Sequence, residues 1–174
     1  MVLDVSRYMR DPKRRQRAGS VGERELLERF LDFQRDTLIW KLGGLTREQL
    51  VATHTPSGMS LLGLVKHMAY VERNWFQIRL LTLPLTVPWR DGIPGSDFRI
   101  EPDETPESVL DFYLREVTES RRIYAEAESL DQIALHPDRR VSLRWIMIHM
   151  IEETARHCGH ADFMREYTDG LTGE

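Results

Sequence analysis

Residues 142–168 read SLRWIMIHMIEETARHCGHADFMREYT and form the longest segment of the chain with helical periodicity. Apolar residues recur along it every three or four positions, which is the pattern of a helix with one buried face. Ser142 is a suitable N-cap residue, and Gly170 stands where helices commonly end. The segment therefore predicts a long C-terminal helix that packs against the rest of the protein.

Three more segments have the same periodicity, at about residues 22–42, 60–81 and 106–129. Ser20 is the expected cap of the first, and Thr105 followed by Pro106 begins the third. No segment alternates like a strand, so we predict an all-α protein, an up-down four-helix bundle. Residues 84–105 hold four of the eight prolines and form a long irregular connection between helices 2 and 3, expected to cross or cover a site.

Length and composition indicate one domain of 174 residues that can bury a core without disulfides. The only cysteine, Cys158, excludes an internal disulfide and a thiolate-rich zinc site, and it suits the cytoplasm. We divide the chain into a basic N-terminal arm, residues 1–19, which we expect to be solvated and flexible, and a bundle domain, residues 20–174. The net charge of -4 argues against a nucleic-acid partner, and no apolar run is long enough to cross a membrane.

Histidine and glutamate side chains cluster on one face of the predicted C-terminal helix. At about 100° per residue, Glu153, His157 and His160 lie at about 40°, 80° and 20° from His149. Glu153 and His157 stand four residues apart, so two consecutive turns can hold one ion. The same spacing also occurs in ordinary surface ion pairs, so the pair alone does not define a site.

A third ligand has to come from another helix, and His67 of the second predicted helix is the natural donor. Taken alone, a histidine at the edge of an apolar face is more often satisfied by a backbone or carboxylate partner than by a metal. Together with Glu153 and His157, it predicts a His/Glu/His site with an open coordination position, as in catalytic zinc sites.

Other polar residues receive less specific interpretations. His149 and His160 are candidate proton relays, fourth ligands or packing residues, and Cys158 is interpreted as a small buried side chain. Four charged residues are expected to be solvated helix surface or pairs within one helix: Glu72, Arg73, Arg121 and Arg122.

Two segments resemble the DinB-like superfamily, most closely its actinobacterial branch: TPSGMSLLGLVKHMAYVERNWF at residues 55–76 and RWIMIHMIEETARHCGHAD at residues 144–162. The resemblance implies a four-helix bundle that holds a divalent metal, usually zinc or nickel, near one end. The superfamily's histidine of the second helix matches His67, and its His-x-x-x-His pattern falls on Glu153 and His157. Glutamate in place of the first histidine is similar to the mycothiol-dependent maleylpyruvate isomerase branch, and this ligand set also tolerates manganese or iron.

The resemblance also implies a reaction. It indicates a metal-dependent S-transferase or isomerase that uses a low-molecular-weight thiol such as mycothiol on a small electrophile, with His160 or His149 as proton relay. Arg79 and Arg90 are candidates for binding a carboxylate of the cofactor or substrate. A metal-dependent hydrolase and a non-enzymatic metal-binding stress-response protein are the alternatives, and the sequence leaves a homodimer open.

Overall fold

The computed structural model describes residues 2–6 and 21–172, apart from the side chains of Arg90 and Asp91. This part of the chain is all-α, with five α-helices and no strand. The α-helices are α1 Glu23–Trp40, α2 Arg47–Val51, α3 Leu61–Glu72, α4 Pro106–Glu126 and α5 Leu143–Asp169. A π-helix, Arg73–Leu80, continues α3, and a 3-10 helix, Pro88–Asp91, lies within the connection to α4. None of the helices in the described ranges combines the length and apolarity that a membrane crossing needs.

The predicted helix ends at Thr105, Ser142 and Gly170 agree with the structure. Thr105 and Ser142 each accept a hydrogen bond from the amide three residues later, at 3.1 and 3.2 Å. α5 ends at Gly170, whose φ of 78° lies in the left-handed region that favours glycine. The first helix differs, because Ser20 lies outside the described residues and α1 begins after Gly22, which offers no side chain as a cap.

The second predicted helix is divided into α3 and the π-helix. Apolar and polar side chains of the π-helix alike are buried. Trp75 and Phe76 are buried, and Gln77 donates a hydrogen bond of 2.6 Å to Glu116 of α4. Apolar periodicity does not distinguish the two helix types over so short a segment, because it follows burial and not the register of the backbone hydrogen bonds.

The helices pack in two pairs that contact each other. α1 packs along α5, and α3 with its π-helical extension packs along α4. α3 also contacts α5, which joins the two pairs. The core between them is mainly aliphatic, and its fully enclosed members include Leu31, Leu38, Leu64, Met68, Ile146 and Met150.

Within the described residues 2–6 of the predicted basic arm, Leu3 packs against the segment between α1 and α2. Leu3 is buried, its amide donates to the Leu45 carbonyl at 2.8 Å, and its carbonyl accepts from the Gly44 amide at 2.9 Å. The basic cluster of the arm falls within residues 7–20, which lie outside the described residues. The described part of the arm is therefore a short docked segment.

An ion pair is buried between α1 and α3, where Glu72 was expected to be solvated. Arg35 Nε and Nη2 donate to the two carboxylate oxygens of Glu72 at 2.8 and 2.7 Å, and neither side chain is more than 3% exposed. Asp32 accepts from Arg35 at 3.1 Å and from Arg121 of α4 at 2.9 Å. Burial alone would lower the pKa of Arg35, but the charge of Glu72 and the hydrogen bonds to it raise that pKa, so Arg35 stays charged.

The expectation was wrong for Glu72, Arg73 and Arg121 because their partners are distant in sequence. Arg35 stands 37 residues before Glu72, and Asp32 stands 89 residues before Arg121. Helical periodicity describes neighbours three or four residues apart and carries no information on pairs between helices.

Neutralising Glu72 should destabilise the protein strongly, because it leaves the Arg35 guanidinium buried with an incomplete partner. For Glu72→Gln we expect the free energy of unfolding in urea to fall by about 3 kcal/mol. The matched control is Glu126→Gln, since Glu126 is 62% exposed and pairs with Arg122 at the surface. The control should lose at most about 1 kcal/mol. Equal losses in the two variants would contradict a structural role for the buried pair.

Candidate metal centre

Three side chains with metal-binding groups meet where α3 contacts α5. One donor atom each from His67, Glu153 and His157 lies within 4.8 Å of the other two. The side chains are 14%, 17% and 8% exposed respectively, so the group is mostly enclosed but still reached by solvent. The structure thus brings together the three residues that the sequence analysis selected as ligands, and the group could hold a metal ion.

Glu153 and His157 lie one turn apart on α5, with His157 Nε2 3.2 Å from Glu153 Oε1. The hydrogen bond with His157 lowers the pKa of Glu153 to about 2, against the opposing effect of burial. Glu153 is therefore ionised at neutral pH. Its other oxygen, Oε2, accepts a hydrogen bond of 3.3 Å from Arg156, a cation that the sequence analysis did not assign to the site.

His67 is held by two residues of the connection between α3 and α4. Its Nδ1 forms a hydrogen bond with Oδ2 of Asp97, and the ring of Phe98 stacks on its face with centroids 4.2 Å apart and planes 11° apart. Burial would raise the pKa of Asp97, but the hydrogen bond with His67 lowers it, so Asp97 is a carboxylate. The sequence analysis missed Asp97. The one available signal was an acidic residue in a segment expected to cover a site.

The connection lies closely against α3 on either side of Asp97. The carbonyl oxygen of Phe98 approaches Gly63 so closely that a Cβ built on Gly63 would lie 2.2 Å from it. Lys66 Nζ donates to the Arg99 carbonyl and to Glu104, both at 2.8 Å. These contacts fix the backbone that carries Asp97 and Phe98 over His67.

His160 adjoins the group through His157. The Nδ1 atoms of the two rings are 3.3 Å apart, and the rings meet edge to face with centroids 5.3 Å apart. His160 is exposed, yet partial burial and the neighbouring His157 lower its pKa. Its ring is therefore neutral at pH 7 and lies beside the three converging donors.

His149 lies apart from the three converging donors, one turn before Glu153 on α5. Its ring stacks on Trp145 with centroids 5.0 Å apart and meets Trp75 edge to face at 4.6 Å. Burial lowers the pKa of His149. Of the roles considered for His149, packing is the one that these contacts describe.

Of the two candidate carboxylate-binding arginines, the structure describes the side chain of Arg79 only. Arg79 lies in the π-helix that continues α3, and its Nη1 is 3.4 Å from His136 Nδ1 and 3.9 Å from Asp138. Arg79 therefore contacts the loop before α5 and not the converging donors. The side chain of Arg90 lies outside the described part of the structure.

Cys158 is separated from the converging donors although it follows His157 in sequence. Its side chain is buried, and Sγ donates a hydrogen bond of 3.4 Å to the Gln34 carbonyl of α1. Burial raises the pKa of the Cys158 thiol to about 12. A buried protonated thiol is a poor nucleophile and a poor metal ligand, which agrees with its interpretation as a packing residue.

A comparison with known families leads to the same superfamily as the two segments quoted from the sequence. A family model described as mycothiol-S-transferase matches residues 26–170. The chain belongs to this family. It is accordingly a member of the DinB-like superfamily, as its resemblance predicted. No curated protein matches the chain.

The mycothiol-S-transferase match covers α2 to α5 and most of α1. It therefore includes His67, Glu153 and His157 together with the connection that carries Asp97. The region that matches the family therefore contains all three converging donors.

Because the Phe98 carbonyl lies so close to Gly63, adding a single methyl group at Gly63 should destabilise the protein. Gly63→Ala places Cβ against the Phe98 carbonyl, so we expect the free energy of unfolding to fall by about 1–3 kcal/mol. Gly159→Ala is the matched control in a helix, because a Cβ at Gly159 meets no atom within 4 Å. That control should gain up to about 1 kcal/mol from the higher helix propensity of alanine. Urea unfolding measures both, and a neutral Gly63→Ala would contradict the packing of the connection on α3.

Proposed function

We propose that this chain is a metal-dependent thiol S-transferase, or an isomerase of the same chemistry, that uses a mycothiol-type cofactor on a small electrophile. In this proposal His67, Glu153 and His157 hold a divalent ion. The observation that carries it is the convergence of three donor atoms within 4.8 Å of one another in a member of the mycothiol-S-transferase family.

The donor set fits a divalent ion of intermediate hardness. Two imidazole nitrogens and one carboxylate oxygen are ligands of known catalytic zinc sites, and three protein ligands leave a position for substrate. Glu153 is ionised, because the hydrogen bond with His157 lowers its pKa to about 2, and so it supplies one negative charge to the ion. Zinc is the expected metal, and nickel, manganese and iron are alternatives that the same donors accept.

When bound, such an ion lowers the pKa of a cofactor thiol and so makes a thiolate available near neutral pH. His160 is the proposed acceptor of the thiol proton, because its lowered pKa keeps the ring neutral and its contact with His157 is made by Nδ1, not by Nε2. In the transfer, a sulfur–carbon bond forms, the leaving group departs with its electron pair, and the thiol proton moves to His160 Nε2. His149 is the second candidate relay, although its packing against Trp75 and Trp145 restricts its ring.

The reacting thiol has to come from the cofactor. Burial raises the pKa of Cys158 to about 12, and its Sγ is engaged with the Gln34 carbonyl. Arg90 and Arg79 stay proposals for binding a carboxylate, and Arg79 has the weaker support because it contacts His136 and Asp138.

The remaining proposals concern the molecule as a whole. The pairing of α1 with α5, of α3 with α4 and of α3 with α5 supports an up-down four-helix bundle of these four helices. Residues 1–19 form a separate arm in this proposal, anchored at Leu3, and residues 20–174 form the bundle domain. The single free cysteine supports a cytoplasmic location.

Replacing His157 with alanine should abolish stoichiometric metal binding, because it removes one of three ligands. The measurement is metal content by mass spectrometry after loading with zinc and gel filtration. His54→Ala is the matched control, since His54 is exposed and bonds Thr168 at the far end of α5. The control should keep its metal. A His157→Ala variant that retains full metal content would show that the ion binds elsewhere.

Incubation of the metal-loaded protein with mycothiol and a panel of small electrophiles should give thioether adducts detected by mass spectrometry. His160→Ala should slow adduct formation by about 10²-fold, because it removes the proton acceptor. Cys158→Ala should leave the rate unchanged. Cleavage of ester or amide substrates without incorporation of the thiol would favour the hydrolase, and metal binding with neither reaction would favour the non-enzymatic alternative.

A further inference from the structure

We propose that Asp97 is a positioning residue of the metal centre, whose carboxylate accepts a hydrogen bond from His67 Nδ1 and thereby turns His67 Nε2 toward Glu153 and His157. This inference rests on the proposed function, because it assumes that His67 is a ligand. It adds a residue that is outside the group of three donors.

The hydrogen bond decides which nitrogen of His67 is available. A carboxylate only accepts hydrogen bonds, so the proton of a neutral His67 ring has to stand on Nδ1, where Asp97 Oδ2 receives it. Nε2 is then left with a lone pair, which is what a metal ligand needs. Histidine ligands commonly donate their other N–H to a carboxylate, which fixes both the tautomer and the orientation of the ring.

The stacked Phe98 ring completes the restraint. A hydrogen bond at one edge of an imidazole still permits rotation about that bond, whereas Phe98 lies flat on one face at 4.2 Å. The rings of His157 and His67 meet edge to face, with centroids 4.9 Å apart. Consecutive residues 97 and 98 thus limit both the in-plane direction and the tilt of the His67 ring.

Burial makes the contact between Asp97 and His67 strong. The Asp97 side chain is only 7% exposed, so little water competes with His67 for its carboxylate. The backbone that carries Asp97 is held by Lys66, which binds the Arg99 carbonyl and Glu104, and by the close approach of Phe98 to Gly63. The carboxylate is therefore positioned before any ion binds.

The connection also offers a matched control. Glu101 is an acid four residues further on, but its side chain is 44% exposed and pairs with Arg99 at 2.8 Å. Glu101→Gln removes one negative charge from the same segment without touching His67. A general electrostatic effect of the segment on a cation would appear in this control as well as in variants of Asp97.

The first test is the zinc affinity of the full chain, measured by competition with a chromophoric chelator. Asp97→Ala should weaken zinc binding by about 10–100-fold, as loss of such a partner does in other metal sites. Asp97→Asn should lose less zinc affinity than Asp97→Ala, because its amide oxygen still accepts a hydrogen bond from His67 Nδ1. The same variant replaces Asp97→Ala in the test if Asp97→Ala fails to fold. Glu101→Gln should bind zinc like the unaltered chain. Asp97→Ala with unaltered affinity overturns the proposal, and so does a loss as complete as that of His67→Ala, since Asp97 would then be a direct ligand.

The second test needs no metal. Nitrogen-15 NMR of the metal-free protein, recorded at a pH at which the spectrum shows a neutral His67 ring, should show that ring protonated at Nδ1 in the unaltered chain and in Asp97→Asn, and a population protonated at Nε2 in Asp97→Ala. A neutral ring protonated at Nε2 in the unaltered chain overturns the proposal. A merely structural role of Asp97 would change the unfolding temperature without changing the tautomer.

Failure of this inference is distinguishable from failure of the proposed function. If His67→Ala binds zinc as well as the unaltered chain, His67 is not a ligand and the proposed metal centre is wrong. If His67→Ala loses zinc while Asp97→Ala retains full affinity, the metal centre stands and only the role of Asp97 is wrong.

Discussion

The contact between α3 and α5 is the constraint on which the site depends, because it brings His67 of one helix edge to face with His157 of the other. α3 is held on another side by the buried pair of Glu72 with Arg35 of α1, and α1 packs along α5. Glu72 lies five residues after His67. A displacement of α3 large enough to break the ion pair would therefore also move His67 away from its partners, so the stability of the core and the geometry of the site are linked.

Much of this arrangement could be predicted from local sequence features. Thr105, Ser142 and Gly170 mark helix ends through side-chain hydrogen bonds or backbone conformation that these residue types favour in any context. Glu153 and His157 face one direction because helical spacing alone puts residues four apart on one side. His67 could be selected only as a complement to that pair, and the family resemblance supported the selection.

The features that were missed are contacts between segments distant in sequence. Asp97 reaches His67 only because the connection after the π-helix folds back along α3, and no periodicity describes that path. Glu72 was misjudged for the same reason, since its partner Arg35 belongs to another helix. Irregular connections and buried ion pairs are set by tertiary packing, whereas caps and helix faces are set within a few residues.

The central claim is that His67, Glu153 and His157 hold one divalent ion between α3 and α5. X-ray diffraction from crystals of the zinc-loaded protein, recorded above and below the zinc absorption edge, locates that ion directly. We expect one anomalous peak per chain, about 2.0–2.2 Å from a nitrogen of each histidine and from a carboxylate oxygen of Glu153. No peak among these three side chains, or a peak bound only by other residues, would contradict the claim.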